Sequence, residues 1–120
     1  MIGGKIMIKT RAQQTETFEC NNDGNKAFTL FNLKEFEGIS DKIVQFSYVE
    51  IEVGEGVPFH THTKDAENYY IISGKGLYDD NGKVVEVGAG TITFTPQGEG
   101  HALKNVGADK LCFIALVLKK

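Results

Sequence analysis

The sequence predicts an all-β protein, and three observations lead to this prediction. Runs rich in β-branched and aromatic residues recur along the chain, whereas helix patterns are nearly absent. These runs are short and are separated by turns that contain glycine. The chain has fourteen glycines and two prolines, a balance typical of tight turns between strands. We therefore expect a β-sandwich or a β-barrel.

The first predicted strands lie in the first half of the chain. One ends at Cys20, just before the turn NNDGN, and the run 43–53 is a second. In the latter half of 43–53, apolar and acidic residues alternate and therefore face opposite sides of the strand. The apolar set is Val49, Ile51 and Val53, and the acidic set is Glu50 and Glu52.

The second half of the chain is predicted to consist of strands and tight turns. Asn81 and Gly82 form a dipeptide typical of a two-residue hairpin turn, because both residues accept positive φ. The predicted strands are 68–74, the two arms of a hairpin over 76–87, 91–96, 101–107 and 110–118.

Two segments do not fit this pattern. Residues 32–42 have weak helical spacing that Gly38 ends early, so we expect one helical turn at most. Residues 5–10 are compatible with a strand or with an arm exchanged between subunits.

Composition excludes several classes of protein. Hydrophobic residues make up 41% of the 120 residues, enough for one domain over residues 1–120 to bury a core. The net charge is −3 and the longest basic run is Lys119–Lys120, so we expect no nucleic-acid partner. No apolar run reaches the roughly 20 residues of a membrane helix, and no signal-peptide core is visible, so we expect a cytoplasmic protein without a membrane partner. Cys20 and Cys112 form no CxxC pair, and we expect both to be structural.

The segment HTHTKDAE contains two of the three histidines. If this segment is extended, as Pro58 favours, His60 and His62 point to the same side. A short loop can then return Glu67 beside them. Two imidazoles and a carboxylate are usual ligands of a first-row divalent metal. Taken alone, however, an HxH pair is more often a surface or core feature.

Wider spacing strengthens the metal interpretation. Residues 54–74 fit the pattern G(X)5HxH(X)4E(X)6G, and residues 90–105 fit G(X)5PxG(X)2H(X)3N. These are the two motifs of the cupin superfamily, which the chain therefore resembles. All three histidines fall on motif positions. The resemblance implies a small double-stranded β-helix, or jelly-roll barrel, with the two motifs forming neighbouring strand pairs.

The resemblance also implies a metal site. The matching ligands are His60, His62, Glu67 and His101, which would bind one divalent transition metal. Imidazole with carboxylate suits Mn, Fe, Co, Ni, Cu and Zn alike, and leaves part of an octahedral shell open. A dication with one carboxylate has a local charge near +1, which favours anionic or enolisable oxygen ligands. We expect His101→Ala to abolish or greatly weaken metal binding and to leave a folded barrel.

Strand alternation yields candidates for a ligand pocket. Counting from Glu67 places Tyr69 inward, and Phe46, Tyr48 and Phe94 are further candidates. The alternative is that each is only part of the barrel core. Possible acids or bases are Glu50, Glu52, Asp65 and Glu99, of which we expect Asp65 and Glu99 to be solvated loop charges, as we do for Lys64. Cupins that resemble oxalate decarboxylase use a carboxylate on a lid near the metal. This chain has no long insertion between its two motifs that would form such a lid.

Residues 111–118, LCFIALVL, are apolar on both faces, so we expect the outer face to pack against another sheet or a second copy in a homodimer.

Three functions are compatible with the sequence as a whole. The first is a small metalloenzyme of the dioxygenase, decarboxylase or isomerase type that acts on an oxygen-bearing or anionic metabolite. The others are a non-catalytic module that binds a small molecule, and a structural protein with unmetallated histidines. A barrel supports many functions, so the choice depends on the site.

Overall fold

A computed structural model describes residues 7–120, and its regular structure is almost entirely β. In these residues the sole helix is one 3-10 turn, Arg11–Gln13, and no helix is long and apolar enough to cross a membrane. The strands are β1 (Glu16–Cys20), β2 (Lys26–Asn32), β3 (Ile43–Ile51), β4 (Gly56–Thr61), β5 (Asp65–Ser73), β6 (Lys75–Asp80), β7 (Lys83–Gly88), β8 (Ile92–Thr95), β9 (Gly100–Asn105) and β10 (Leu111–Lys119).

The strands form two antiparallel sheets. One has the order β1-β2-β3-β10-β5-β8, and the other has the order β4-β9-β6-β7. Buried side chains of both sheets meet in one core, with Val49, Ile71 and Phe113 from the larger sheet against Tyr78 and Leu103 from the smaller. This arrangement is the predicted jelly-roll barrel, and it encloses the space in which a site can form.

Most predicted strands are present, and the differences have local causes. The predicted strand 43–53 ends at Ile51, so Val53 is exposed in the following turn and does not continue the buried face. The hairpin turn is as predicted, with positive φ at Asn81 and Gly82. Strand β2 is not predicted from the sequence, because the apolar residues of KAFTLFN lie on both faces of the strand and so show no clear alternation with polar ones.

Residues 32–42 contain turns and no helix. Gly38 has a φ of 84°, which breaks helical geometry, and the Leu33 amide donates to the Phe46 carbonyl at 2.8 Å instead of to a helical partner. Of the N-terminal segment, residues 7–10 lie outside any strand, and residues 5 and 6 lie outside the described part of the chain.

Candidate metal centre

Antiparallel pairing brings the two sequence motifs together. His60 of β4 lies directly opposite His101 of β9 in the smaller sheet. His62 follows β4, where its backbone amide donates to the Glu99 carbonyl at 2.9 Å and its carbonyl accepts from the Gly98 amide at 2.6 Å. The loop bends there because Gly98 has a φ of 92°. His101, 41 positions after His60, is thus fixed next to the HxH pair.

Glu67 completes the cluster from the larger sheet. Its Oε1 lies 2.8 Å from His101 Nε2, 2.9 Å from His62 Nε2 and 3.6 Å from His60 Nε2. The Nε2 atom of His101 is also 3.0 Å from that of His60 and 3.2 Å from that of His62. One donor atom from each of the four residues lies within 4.8 Å of every other. The four predicted ligands therefore converge on one point between the sheets.

The second nitrogen of each imidazole is held from outside the cluster. His60 Nδ1 lies 3.0 Å from the Pro58 carbonyl, and His62 Nδ1 lies 2.6 Å from an oxygen of Asp65. Because a carbonyl and a carboxylate only accept, both Nδ1 atoms carry a proton, and both Nε2 atoms face the cluster centre, where each could bind a cation through its lone pair. His101 Nδ1 lies 2.9 Å from the Tyr78 hydroxyl and 2.8 Å from the Thr95 hydroxyl, either of which can accept its proton.

This donor set fits a divalent transition metal. Ligand bonds to such an ion are about 2.0–2.2 Å long, so neighbouring donors stand about 3 Å apart. The contacts between the His101 nitrogen and its three partners, 2.8 to 3.2 Å, match that spacing. Nitrogen lone pairs at these separations repel one another unless a proton or a cation lies between them. The residues that bond to Nδ1 also fit, since ligating histidines usually donate their other N–H to a carboxylate, carbonyl or hydroxyl.

The electrostatics of the cluster keep Glu67 ionised. Its burial alone would raise the pKa, but hydrogen bonds with His101 and His60 outweigh burial and lower the pKa to about 2. The same hydrogen bond with Glu67 raises the pKa of His60 above its ordinary value, against the opposing effect of burial. A negative charge is therefore present among the three imidazoles at neutral pH.

Aromatic residues form the buried wall behind the cluster. The Tyr69 ring stacks on the His101 ring at 4.8 Å between centroids, with an interplanar angle of 26°. Burial, followed by the charge of Glu67, raises the pKa of Tyr69 well above its ordinary value, so the phenol is neutral. Tyr78 and Thr95 also bond to each other at 2.9 Å. The sequence did not single out these two, because their contacts with His101 depend on strand pairing.

A cavity of about 810 Å³ opens beside the cluster. Its walls include His60, Glu67 and Tyr69, so the cluster is approached from the side of the half-exposed His60. Much of the remaining wall is apolar, and includes Phe28, Leu30, Val49, Val57, Leu103 and Phe113. The space suits a small organic molecule placed against the metal ligands.

Only Tyr69 of the four predicted pocket residues lines this cavity. Phe94 is 57% exposed, because its partner across β5 is Asn68, on the opposite face from Glu67 and Tyr69. Phe46 and Tyr48 also point outward, since the residues of β3 that line the cavity are Gln45 and Val49. The prediction was therefore wrong for Phe46, Tyr48 and Phe94.

The candidate acids and bases differ in their distance from the cluster and in their partners. Asp65, which we expected to be a solvated loop charge, is instead bonded to His62, with 22% of its side chain exposed. Glu50 and Glu52 lie on the outside, where both approach Lys110, and Lys64 is exposed as expected. Glu99 contributes its backbone carbonyl to the placement of His62.

Comparisons with known proteins agree with this geometry. The model of the cupin domain family matches residues 47–117. An oxalate-binding protein from Thermotoga maritima is 29% identical over 116 residues, which cover 97% of this chain and 96% of the relative. An uncharacterized protein from Methanocaldococcus jannaschii is 27% identical, with 89% of this chain and 82% of the relative covered.

A solved structure is similar over nearly the whole chain. It is the crystal structure of a predicted oxalate decarboxylase from Thermotoga maritima, with a TM-score of 0.85 and 30% identity. The match covers 95% of this chain and 100% of that one. The descriptions of the two Thermotoga proteins differ, since one names binding of oxalate and the other its decarboxylation.

Proposed function

The chain belongs to the cupin domain family, and from this premise we propose that it binds one divalent transition metal and, through it, a small oxygen-bearing or anionic metabolite. The ligands are His60, His62, Glu67 and His101. The observation that carries the proposal is the convergence of three imidazole nitrogens on one ionised carboxylate oxygen. Unmetallated histidines are disfavoured, because the three inward nitrogens would then share one Glu67 oxygen, whereas a metal ion would bind all three lone pairs at once.

The protein's own groups would prepare the site for a ligand. Asp65 holds the ring of His62, the Pro58 carbonyl holds that of His60, and Tyr78 with Thr95 holds that of His101. Tyr69 covers the ring of His101 with a neutral aromatic surface. A bound divalent ion would supply Lewis-acid polarisation of a ligand oxygen, and a redox-active ion would supply dioxygen chemistry as well. On this basis the protein is a small metalloenzyme of the dioxygenase, decarboxylase or isomerase type.

A non-catalytic binding module is the second candidate, and one observation favours it. The carboxylates that line the cavity outside the cluster are Glu19, Glu55 and Asp79. Glu55 accepts from the Asn21 amide at 2.7 Å, and Asp79 accepts from the Gly82 backbone amide at 2.7 Å. Both carboxylates are therefore engaged in hydrogen bonds to residues in turns. Catalysis would depend on the metal and its ligands, whereas binding of a small molecule needs only the metal and the cavity.

The names of the relatives support a carboxylate ligand without selecting between these candidates. A protein that binds oxalate and one predicted to decarboxylate it both handle a small carboxylate. A net charge of +1 on the metal with Glu67 would attract such a group. We further propose that the chain forms one domain, functions in the cytoplasm and assembles as a homodimer.

Metal analysis by mass spectrometry of protein purified without a histidine tag tests the proposal. We expect about one equivalent of Mn, Fe, Co, Ni, Cu or Zn per chain. Protein that is metal-free and takes up no added ion would overturn the proposal. Oxygen uptake and NMR analysis of recovered carboxylates, which also distinguishes isomers, are measured on the loaded protein and then separate the two candidates. Turnover identifies an enzyme, and unchanged carboxylates that were nevertheless bound identify a binding module.

A further inference from the structure

The cavity beside the metal centre is created by the sequence of the central strand. In the larger sheet, Ala115 lies opposite both Ser47 of β3 and Tyr69 of β5. All three point into the barrel, and two of them are small. Two residues further along β10, Val117 lies between Gln45 of β3 and Glu67 of β5. Gln45 and Glu67 are therefore separated by two strand spacings, about 10 Å. The space extends from Glu67 across β10 towards Gln45.

The walls of this space are chiefly apolar. Phe28 and Leu30 of β2 pack against the core from one side of the cavity, and Val57 packs against it from β4. Val49 and Phe113 form the floor, where they lie directly opposite each other on β3 and β10. A ligand that reached only the metal ligands would leave this apolar surface in contact with water. Burying it against an apolar group is favourable.

The charges that surround the cavity limit the charge of the ligand. Among the described residues, the one cationic side chain in the lining is that of Lys104, which is exposed, while Glu19, Glu55, Glu67 and Asp79 are acidic. A divalent metal with Glu67 has a net charge of +1, which a monoanion neutralises. A dianion such as oxalate would leave a negative charge next to apolar walls and carboxylates, which is costly without a paired cation.

Size leads to the same conclusion. The cavity of about 810 Å³ lies in the range of pockets that hold drug-sized molecules, and oxalate would fill only a small part of it. We propose, on the basis of the proposed metal site, that the ligand is a monoanion with a chelating oxygen head and an apolar body. A 2-oxo or 2-hydroxy carboxylate with a hydrocarbon or aromatic side chain has this chemistry. The head binds at the metal beside Glu67, the body packs on Phe28, Leu30 and Phe113, and Gln45 marks the far end.

Calorimetric titration of the nickel-loaded protein tests this inference, because Ni²⁺ suits imidazole and carboxylate donors. The probes are phenylpyruvate, pyruvate and oxalate, which share the carboxylate and differ in charge and apolar area. We expect phenylpyruvate to bind about tenfold or more tightly than pyruvate, because its ring is buried, and also more tightly than oxalate. Nickel content is measured before and after each titration.

Matched variants locate the apolar contact. Phe28→Ala should remove most of the preference for phenylpyruvate and leave nickel content and pyruvate binding unchanged. Phe18→Ala is the control, because Phe18 lies on the same hairpin, points outward and is 60% exposed. If Phe28→Ala does not fold, as judged by circular dichroism, Leu30→Ala replaces it.

The outcomes separate this inference from the metal site itself. If oxalate binds best, if pyruvate and phenylpyruvate bind equally, or if Phe28→Ala and Leu30→Ala keep the preference, the inference is wrong although nickel is retained. If the wild-type protein does not retain nickel, the metal site and the inference fail together.

Discussion

Each imidazole of the cluster holds its Nδ1 atom on the outside and turns its Nε2 atom inward. The three rings nevertheless differ in burial, which makes metal loss and fold loss separable. His101 is 0% exposed, whereas 38% of the His60 side chain is exposed. Removing His101 therefore leaves a buried void and takes one hydrogen-bond partner from each of the Tyr78 and Thr95 hydroxyls, which keep only each other. Removing His60 does neither.

We predict that His60→Ala and His101→Ala both lower the metal content from about one equivalent to a small fraction. Only His101→Ala should also lose stability, by about 2–3 kcal/mol, through the buried void and the hydrogen bonds lost by the two hydroxyls. Metal analysis and thermal unfolding of the metal-free proteins measure the two effects. Lys64→Ala, an exposed change near the motif, is the control, and undiminished metal in either histidine variant would contradict the ligand assignment.

Asp65 holds the ring of His62 through the 2.6 Å contact with Nδ1. Asp65→Asn keeps an acceptor of similar shape and removes the charge. We therefore predict a roughly 10–100-fold weaker metal affinity, the usual effect of replacing a residue that hydrogen-bonds to a metal ligand. Competition with a chelator measures the affinity. Glu99→Gln removes a carboxylate two residues before His101 and should have little effect. Equal affinities for the two variants would show that the bond to His62 is unimportant.

Glu67 makes the stability of the metal-free protein depend on pH. Its folded pKa of about 2 lies below the ordinary value of 4.5, so its stabilising contribution is present above pH 4.5 and is lost as the pH falls towards 2. The shift corresponds to about 3 kcal/mol. Urea unfolding between pH 5 and 2.5 measures the loss, and Glu67→Gln should flatten the dependence. An equally steep loss in Glu67→Gln would assign it to other groups.

At the level of the strand, the spacing of residues along the chain predicted the structure better than the assignment of strand faces to the inside or outside of the barrel. The four candidate ligands are set by two short motifs, and strand pairing brings them into one cluster. Alternation also groups the residues of one strand correctly, as for Val49 and Ile51, both buried. It does not say which group faces inward, because that depends on the register with a distant strand. Phe94 illustrates this: its neighbour Thr95, opposite Glu67, is the inward residue.

The same limit explains why the neighbours of the ligands could not be predicted. Tyr78 reaches His101 from β6, 23 positions earlier in the chain, and the pairing of β6 with β9 has no local signal. Asp65 is nearer, three residues after His62, yet its role depends on the bend between β4 and β5. Contacts across strands are visible only once the strands are paired.

The pairing of β4 with β9 itself depends on a glycine. A Cβ atom at Gly56 would lie 2.5 Å from the Leu103 carbonyl oxygen and 3.0 Å from the Lys104 Cα atom, both of which are backbone. Because β4 and β9 carry His60 and His101, separating them would also disturb the proposed metal ligands.

We therefore predict that Gly56→Ala destabilises the protein by about 1–3 kcal/mol, the usual range for overpacking, and weakens metal binding. Gly88→Ala, in β7, is the matched control, because its nearest atom outside its chain neighbours would be 3.8 Å away. Chemical unfolding and chelator competition measure both quantities. If the two alanine variants behave alike, the close approach of β4 and β9 does not limit the fold.

At the scale of the whole molecule, residues 7–120 cover the outer face of the larger sheet on one half only. Near β2 and β3, the Arg11 guanidinium lies 4.3 Å from the Phe31 ring centre and 4.4 Å from that of Tyr48. At the other edge, Tyr70 lies opposite Ile92 and Asn68 lies opposite Phe94, and the three apolar side chains are between 48% and 67% exposed. Contiguous exposed apolar residues on neighbouring strands mark an interaction surface.

A second copy of the chain is the partner that we propose for this surface, since a two-fold axis would place the same apolar residues against each other. We predict that light scattering at micromolar concentration gives twice the mass of one chain. Phe94→Glu should shift the protein to single chains, because two carboxylates would then face each other across the axis without a paired cation. Phe18→Glu, the same change at the β1 edge of the same sheet, should remain a dimer. A wild-type mass of one chain would remove the dimer. A dimer that Phe94→Glu leaves intact would move the interface to another surface, and β8 would then be an uncovered edge whose apolar side chains need a different explanation.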